Sequence, residues 1–323
     1  MVLRRGSGAI EHHVFADLPM LLAPGDLLVR NNTRVVPARL LGRRAATGGK
    51  WEGLFLRVIP GTDCWEILAT TRGKPVVGET VVVNRNAGDS ESLRLTLIAK
   101  GEAGYWTVHP ESTEPPAALL ERFGQLPLPP YIRQGREEPG DRPRYQTVFA
   151  RVPGSSAAPT AGLHFTDAVF AGLSARGVER CDLTLHVGPG TFRPIEAERI
   201  EDHVLHSEWA ELPPETASAL NAARARGGRI VAVGTTSTRT LETAAASGRG
   251  DFRPFQGETA LYLRPGHQFR AVDALITNFH LPRSSLIVLV SAFAGIELTR
   301  AAYAEAVRER YRFYSYGDAM LIL

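Results

Sequence analysis

"RIVAVGTTSTRTLETAAAS", residues 229–247, decides the fold. Ile230, Val231, Ala232 and Val233 read as a strand, Gly234 breaks it, and the Thr-rich run that follows reads as a helix. A strand, a glycine turn and a helix start in succession belong to an α/β sheet, whose ligands sit beyond the carboxyl ends of the strands. Hydroxyls of Thr235, Thr236 and Ser237, with the free N–H groups of the helix start, suit a phosphate or carboxylate, although ordinary helix capping gives the same pattern. The stretch lacks the lysine of a P-loop and the three glycines of a dinucleotide fingerprint.

The alternation continues outward. "DAVFAGLSARG" (167–177) predicts a helix, "VERCDLTLHV" (178–187) a strand and "PPETASALNAARARGG" (213–228) a helix. Downstream come the strand "VDALITNF" (272–279), the apolar run "SSLIVLVSAFAG" (284–295), the helix "TRAAYAEAVRERY" (299–311) and the close "YSYGDAMLIL". "GDLLVRNNTRVV" (25–36) reads as a buried strand entering an Asn-rich turn. Between them, "WEGLFLRVI", "CWEILATT", "ETVVVN", "LRLTLIAK" and "YWTVH" are short alternating runs parted by Gly, Pro and Asp. They predict a small all-β barrel inserted into the α/β domain. The expected boundaries are 1–38 and 114–323 for an α/β domain with a mostly parallel sheet, and 39–113 for the barrel. Residues 136–144, charged and Gly/Pro-containing, read as a mobile loop.

Three loops beside predicted strands carry histidine. "TAGLHFT" supplies His164, "TLHVGPGTF" supplies His186 with Thr191 beyond it, and "ITNFHLPRSSL" supplies Asn278 and His280. Imidazoles move protons near neutral pH, although a single His is more often simply packed. Ahead of His164, the run from Ser155 to Gly162 has no charge and little bulk, as a backbone closely approached by a ligand requires; a linker is the bland alternative. In "NNTRV", Asn31 and Asn32 suit a polar ligand edge and Arg34 an anion. His203 and His206 have helical i,i+3 spacing but no third metal ligand at a recognisable spacing, so no metal is expected. Arg308, Arg310 and Arg312 alternate with aromatics as in nucleic-acid-binding segments; at helical spacing Arg308 and Arg312 share a face.

Composition sets limits. The chain has 323 residues, 44% hydrophobic and 22% charged, as an ordinary globular protein has. The net charge is +3 with a pI near 9.0, and Lys50, Lys74 and Lys100 are the only lysines. Arginine suits phosphate contacts, though a GC-rich coding sequence gives the same skew. Two cysteines exclude a disulfide framework or a thiolate zinc site. The longest apolar run, residues 286–294, contains Ser291 and falls short of a membrane span. A cytoplasmic monomer without membrane association is expected.

The blocks "GDLLVRNNTRVVPARLLGR", "PLPPYIR", "RYQTVFARVPGSSAAPTAGLHFT", "TLHVGPGTFRPI", "HSEWAELP", "RIVAVGTTSTRTLE", "VDALITNFHLPRSSLIVLVSAFAG" and "YRFYSYGDAMLIL" together resemble the S-adenosylmethionine:tRNA ribosyltransferase-isomerases, in order along the whole chain. The resemblance implies a six-stranded barrel inserted in an α/β domain, and an N-terminal strand and Pro-containing loop ahead of residue 1. It implies S-adenosylmethionine as a co-substrate, with no permanently bound cofactor, and a tRNA bearing an aminomethyl-deazaguanine at the wobble position. Ribosyl transfer and isomerisation would give epoxyqueuosine, adenine and methionine. The stretch "ILATTRGKPVVGE" (67–79) departs from the Ser-Lys pattern of many members, so RNA contacts there do not carry over. The candidate proton-transfer groups are His164, His186 and His280, with Asp273 and Asp318 next. The candidate substrate-binding set is Asn31, Asn32, Arg34, Thr160, Gly162, Thr191, Thr235, Thr236, Ser237, Arg239 and Asn278. A non-catalytic RNA-binding protein and a His-based metal hydrolase are the alternatives.

Overall fold

The computed structural model describes all residues except 87–89, 189, 191–194 and 247–249. The chain divides into two compact units, Met1–Arg34 with Arg144–Leu323, and Val35–Pro143.

The larger unit is built on a nine-stranded sheet. Its order is Phe255–Thr259, Glu208–Leu212, Glu179–Leu185, Leu27–Asn31, Ile230–Val233, Ala274–Asn278, Ala319–Ile322, Val2–Arg4 and Ala9–Glu11. The four strands from Glu179–Leu185 to Ala274–Asn278 run parallel at the centre. Glu208–Leu212, Phe255–Thr259 and Ala319–Ile322 pair antiparallel around them, so the sheet is mixed, with its parallel strands concentrated in the core. The sequence dictates this centre. Leu27–Asn31, Ile230–Val233 and Ala274–Asn278 are buried along their whole length, as strands covered on both faces must be.

Alternate side chains serve opposite faces. Leu27, Val29, Ile230 and Ala232 join Leu220, Leu241, Leu289 and Phe293 of the helices on one side. Leu28, Val231 and Val233 join Phe165, Val169, Phe170 and Leu173 on the other. The helix Gly234–Ala245 starts where Gly234, at φ +87, turns the chain out of its strand. It is poor in strong helix formers. Ser237, Thr238, Thr240 and Thr243 each donate a hydroxyl hydrogen bond to the carbonyl four residues before, which lets a Thr-rich helix lie buried.

The smaller unit is a closed barrel of Tyr105–Pro110, Trp65–Thr71, Lys50–Val58, Arg39–Arg44, Thr80–Val83 and Leu93–Lys100. Period-2 patterning fills it: Trp65 and Ile67, Val81 and Val83, Leu93, Leu95 and Leu97, Trp106 and Val108 point inward. The unit extends past residue 113 because Leu119, Leu120 and Phe123 of the helix Pro116–Phe123 pack into the same core. Residues 136–144, expected to be mobile, are pinned instead. Asp141 is buried, pairs with Arg133 and accepts from the Glu138 N–H, and Arg142 pairs with Glu121 and Glu137. Ion pairs between residues this far apart leave no periodic trace in the sequence.

Gly53 tests the barrel packing. A Cβ there would lie 2.2 Å from Trp51 Cη2 and 2.8 Å from Ile67 Cγ2. Gly53→Ala is expected to destabilise this unit by about 1–3 kcal/mol through overpacking, read as a lower denaturation midpoint.

Candidate active site

Because the four central strands are parallel, their carboxyl ends share one edge. Leu27–Asn31 brings Asn31 and Asn32 there, Glu179–Leu185 is followed by His186, Ile230–Val233 by Thr235 and Thr236, and Ala274–Asn278 brings Asn278 and His280. Asn31 is 1% exposed and its amide is fully engaged with the chain. Oδ1 accepts from the N–H groups of Thr33 (3.1 Å) and Leu185 (3.0 Å). Nδ2 donates to the Leu185 carbonyl (2.9 Å) and to Thr236 Oγ1 (3.1 Å). Asn32 Oδ1 accepts from Thr184 Oγ1 at 2.8 Å. Both amides join strand ends, a different task from reading a ligand edge.

Thr160, Thr235, Thr236, Thr277, Asn278 and His280 line a slot of about 30 Å³. A second slot of about 20 Å³ shares Thr235, Thr236 and Leu286 and reaches Arg239 and Tyr262. The 3₁₀ turn Thr160–His164 contributes Thr160 to the first slot and His164 to a larger cavity of about 450 Å³. That cavity is lined also by Phe15, Arg310, Tyr311 and Asp318. It falls within the range of small-molecule sites, about 300–1,000 Å³. His164 Nε2 lies 3.1 Å from Asn278 Oδ1, and Asn278 Nδ2 donates to the Tyr314 carbonyl at 2.9 Å.

The three imidazoles share one electrostatic state. Burial lowers the pKa of His164, against the opposing hydrogen bond with Asn278; the ring stacks on Phe15 at 5.1 Å. Burial also lowers that of His186, whose Nδ1 is 2.7 Å from Thr33 Oγ1 and whose ring stacks on Trp209 at 4.9 Å. His280 is pushed down to about 4 by burial, with Nε2 2.7 Å from Thr277 Oγ1 and its backbone N–H donating to the Tyr303 hydroxyl. At neutral pH all three are uncharged rings, each with one donor and one acceptor nitrogen.

The run of small residues packs against its own chain. A Cβ on Gly162 would lie 2.7 Å from both Phe149 Cζ and Thr147 Cγ2, and one on Gly154 2.7 Å from His186 Nε2. Ser155 Oγ accepts from the Val187 N–H and donates to the Ala157 carbonyl. On its other side the run gives Ala158, Pro159, Thr160 and Ala161 to the wall of the slot. Bulk is excluded for both reasons.

Other candidates lie elsewhere. Ser237 turns its hydroxyl back to the Val233 carbonyl. Arg239 is 6% exposed, forms a buried ion pair with Glu208, and donates to the carbonyls of Leu261 and Thr259. Glu208 Oε1 also accepts from the Gly188 N–H at 2.8 Å, so this pair anchors the loop after His186. Arg34 is exposed. Thr191 lies outside the described residues. His203 and His206 sit in irregular chain beyond the turn Ile200–Asp202, so they share no helix face; no group of three metal-ligating side chains occurs among the described residues. The helix Ile296–Arg308 ends before Arg310, so helical spacing does not apply to the three arginines. Arg308 pairs with Glu305 and Glu309, Arg312 pairs with Asp318, and Arg310 lines the large cavity. Asp273 accepts from the Ile230 N–H, a structural contact.

Several partners escaped the sequence reading: Thr33, Trp209, Phe15, Tyr303, Glu208 and Tyr262. Thr33, Thr277 and Trp209 lay within the quoted stretches "NNTRV", "ITNFH" and "HSEWAELP", but nothing in those stretches singled them out as ring partners.

A mixed sheet whose parallel central strands gather hydroxyls, amides and neutral imidazoles at their carboxyl edge, in a chain that also carries a barrel unit, is the frame of an α/β enzyme. The family model described as "Queuosine biosynthesis protein" matches residues 1–322, and the chain belongs to that family. The S-adenosylmethionine:tRNA ribosyltransferase-isomerase of Symbiobacterium thermophilum is 53% identical over 323 residues, covering 100% of this chain and 92% of the relative. That of Moorella thermoacetica is 51% identical over 324 residues, covering 100% and 92%. The crystal structure of S-adenosylmethionine tRNA ribosyltransferase from Thermotoga maritima is 35% identical, covers 100% of this chain and 91% of that one, and superposes with a TM-score of 0.53.

Two measurements probe the site's construction. The unfolded chain protonates His280 near pH 6.5 whereas the fold resists until about 4. The neutral ring's stability is therefore complete above pH 6.5 and lost between these values, by up to about 3 kcal/mol. In denaturation series at pH 7 and pH 4.5, His280→Gln is expected to reduce the acid loss; an unchanged loss would mean the ring is not held neutral. Arg239→Met leaves Glu208 buried without its cation, and a loss of about 3–5 kcal/mol is expected in the same assay.

Proposed function

We propose that this chain transfers the ribosyl portion of S-adenosylmethionine to the aminomethyl group of a 7-deazaguanine at the wobble position of tRNA. Isomerisation then gives epoxyqueuosine, with adenine and methionine released. The observation that carries the reading is three imidazoles held neutral by burial around one sheet edge, in a chain matched end to end by the family.

The chemistry suits such groups. The sulfonium of S-adenosylmethionine acidifies its 5′-methylene, so a neutral imidazole can remove that proton and the resulting ylide expels adenine. Adenine leaves more readily when protonated, and an imidazolium that has just taken a proton is a local donor. The aminomethyl nitrogen attacks only as the free amine, which again needs a nearby base. Epoxide closure then displaces methionine. His164 and His186 are the proposed proton-transfer groups, because His164 lines the large cavity and meets Asn278 of the slot wall, and His186 directly precedes Val187 of that wall, each keeping a neutral nitrogen. A tRNA substrate fits an activity in the cytoplasm.

The test is incubation with S-adenosylmethionine and tRNA bearing the aminomethyl-deazaguanine. Adenine and methionine are expected in equal amounts with the modified nucleoside. Stoichiometric S-adenosylhomocysteine would mean methyl transfer and would sink the reading. His164→Gln and His186→Gln are each expected to lower turnover by about 10²–10⁴-fold, with melting behaviour close to that of the parent.

A further inference from the structure

The helix Gly234–Ala245 opens onto both slots without a side-chain cap, since its N-cap residue is Val233. The neighbouring helix Ser285–Ala294, whose Leu286 lines both slots, is capped by Ser284. The N-terminal N–H groups of Gly234–Ala245 therefore carry the partial positive charge of a helix start with no side-chain acceptor assigned to it.

Two further observations point to a ligand. Thr235 is 7% exposed, lines both slots, and its hydroxyl has no hydrogen-bond partner, whereas Ser237, Thr238 and Thr240 all bond back to carbonyls. The Tyr262 hydroxyl, in the second slot, is buried and has no partner either. A buried hydroxyl without a partner, as Tyr262 has, forfeits its hydrogen bond to water; with the uncommitted Thr235 hydroxyl opening onto the same slot, it implies an acceptor there. Burial raises the Tyr262 pKa and keeps the phenol a donor. Arg239, the cation in the lining, is neutralised by Glu208. The slots are small, and their fixed field suits a single negative charge on a slender group.

We infer that Thr235, Tyr262 and the uncapped start of the helix Gly234–Ala245 bind the α-carboxylate of the methionyl part of the co-substrate. This rests on the proposed function, and it leaves His280, which lines the same slot, close to the departing methionine.

The experiment is equilibrium binding of S-adenosylmethionine and of decarboxylated S-adenosylmethionine, each in the presence of substrate tRNA, to the parent and to Thr235→Val, Thr235→Ser and Tyr262→Phe. The parent is expected to favour the carboxylated ligand at least tenfold, as a charged hydrogen-bonded group warrants. Thr235→Val and Tyr262→Phe should each weaken S-adenosylmethionine about fivefold or more while leaving the decarboxylated ligand unchanged, and Thr235→Ser should restore the parent value. Equal loss for both ligands, or unchanged preference in both variants, overturns the assignment alone. A parent that binds neither ligand overturns the proposed function, and the assignment with it.

Discussion

The carboxamide of Asn31 holds the working edge of the sheet together. Its four hydrogen bonds join the end of its own strand to the strand that precedes His186 and to the helix that carries Thr236. A buried amide with any of these unmade would carry the desolvation penalty of an orphaned polar group, about 1–3 kcal/mol. The fold therefore closes around this residue in one arrangement. His186 is positioned twice through it: its backbone follows Leu185, and its ring meets Thr33, whose N–H Asn31 also accepts.

Charge at this edge is arranged around the same need for definition. Arg239 and Glu208 neutralise one another in the interior, and the three histidines are kept uncharged by burial. A sulfonium co-substrate brings its own positive charge, which imidazolium rings in a low-dielectric cleft would oppose. On the proposed reaction, depressed pKa values would serve binding and proton abstraction together. The arrangement is economical in charge, since the ionised pair that remains anchors a loop and leaves the slot to hydroxyls and backbone dipoles.

Much of this was legible in the sequence, where it had a local signal. Residues 229–247 show their strand, glycine turn and helix directly, and the barrel strands show alternation of period two. The loops holding His164, His186, Asn278 and His280 were marked because histidines near strand ends are uncommon. What stayed hidden depends on partners remote along the chain. Nothing near Asn31 announces that Leu185 and Thr236 will take up its amide, and nothing near Arg239 announces Glu208. Arg308 and Arg312 read equally as an RNA-facing pair or a solvated face because their neighbours are aromatic; their acidic partners Glu305, Glu309 and Asp318 had no signal in that reading. Tyr262 sits in a stretch without any motif, and only its unpartnered hydroxyl singles it out.

Asn278 carries one further meaning. Its Nδ2 points at the main-chain carbonyl of Tyr314, an acceptor that only a donor can satisfy, so the amide cannot be turned end for end. Oδ1 must then face His164, and the imidazole must place its proton on Nε2. The tautomer of that ring is consequently dictated by a carbonyl near the carboxyl terminus of the chain. Nδ1 becomes the nitrogen with a free lone pair, and the direction in which His164 can accept a proton is written into the backbone at Tyr314.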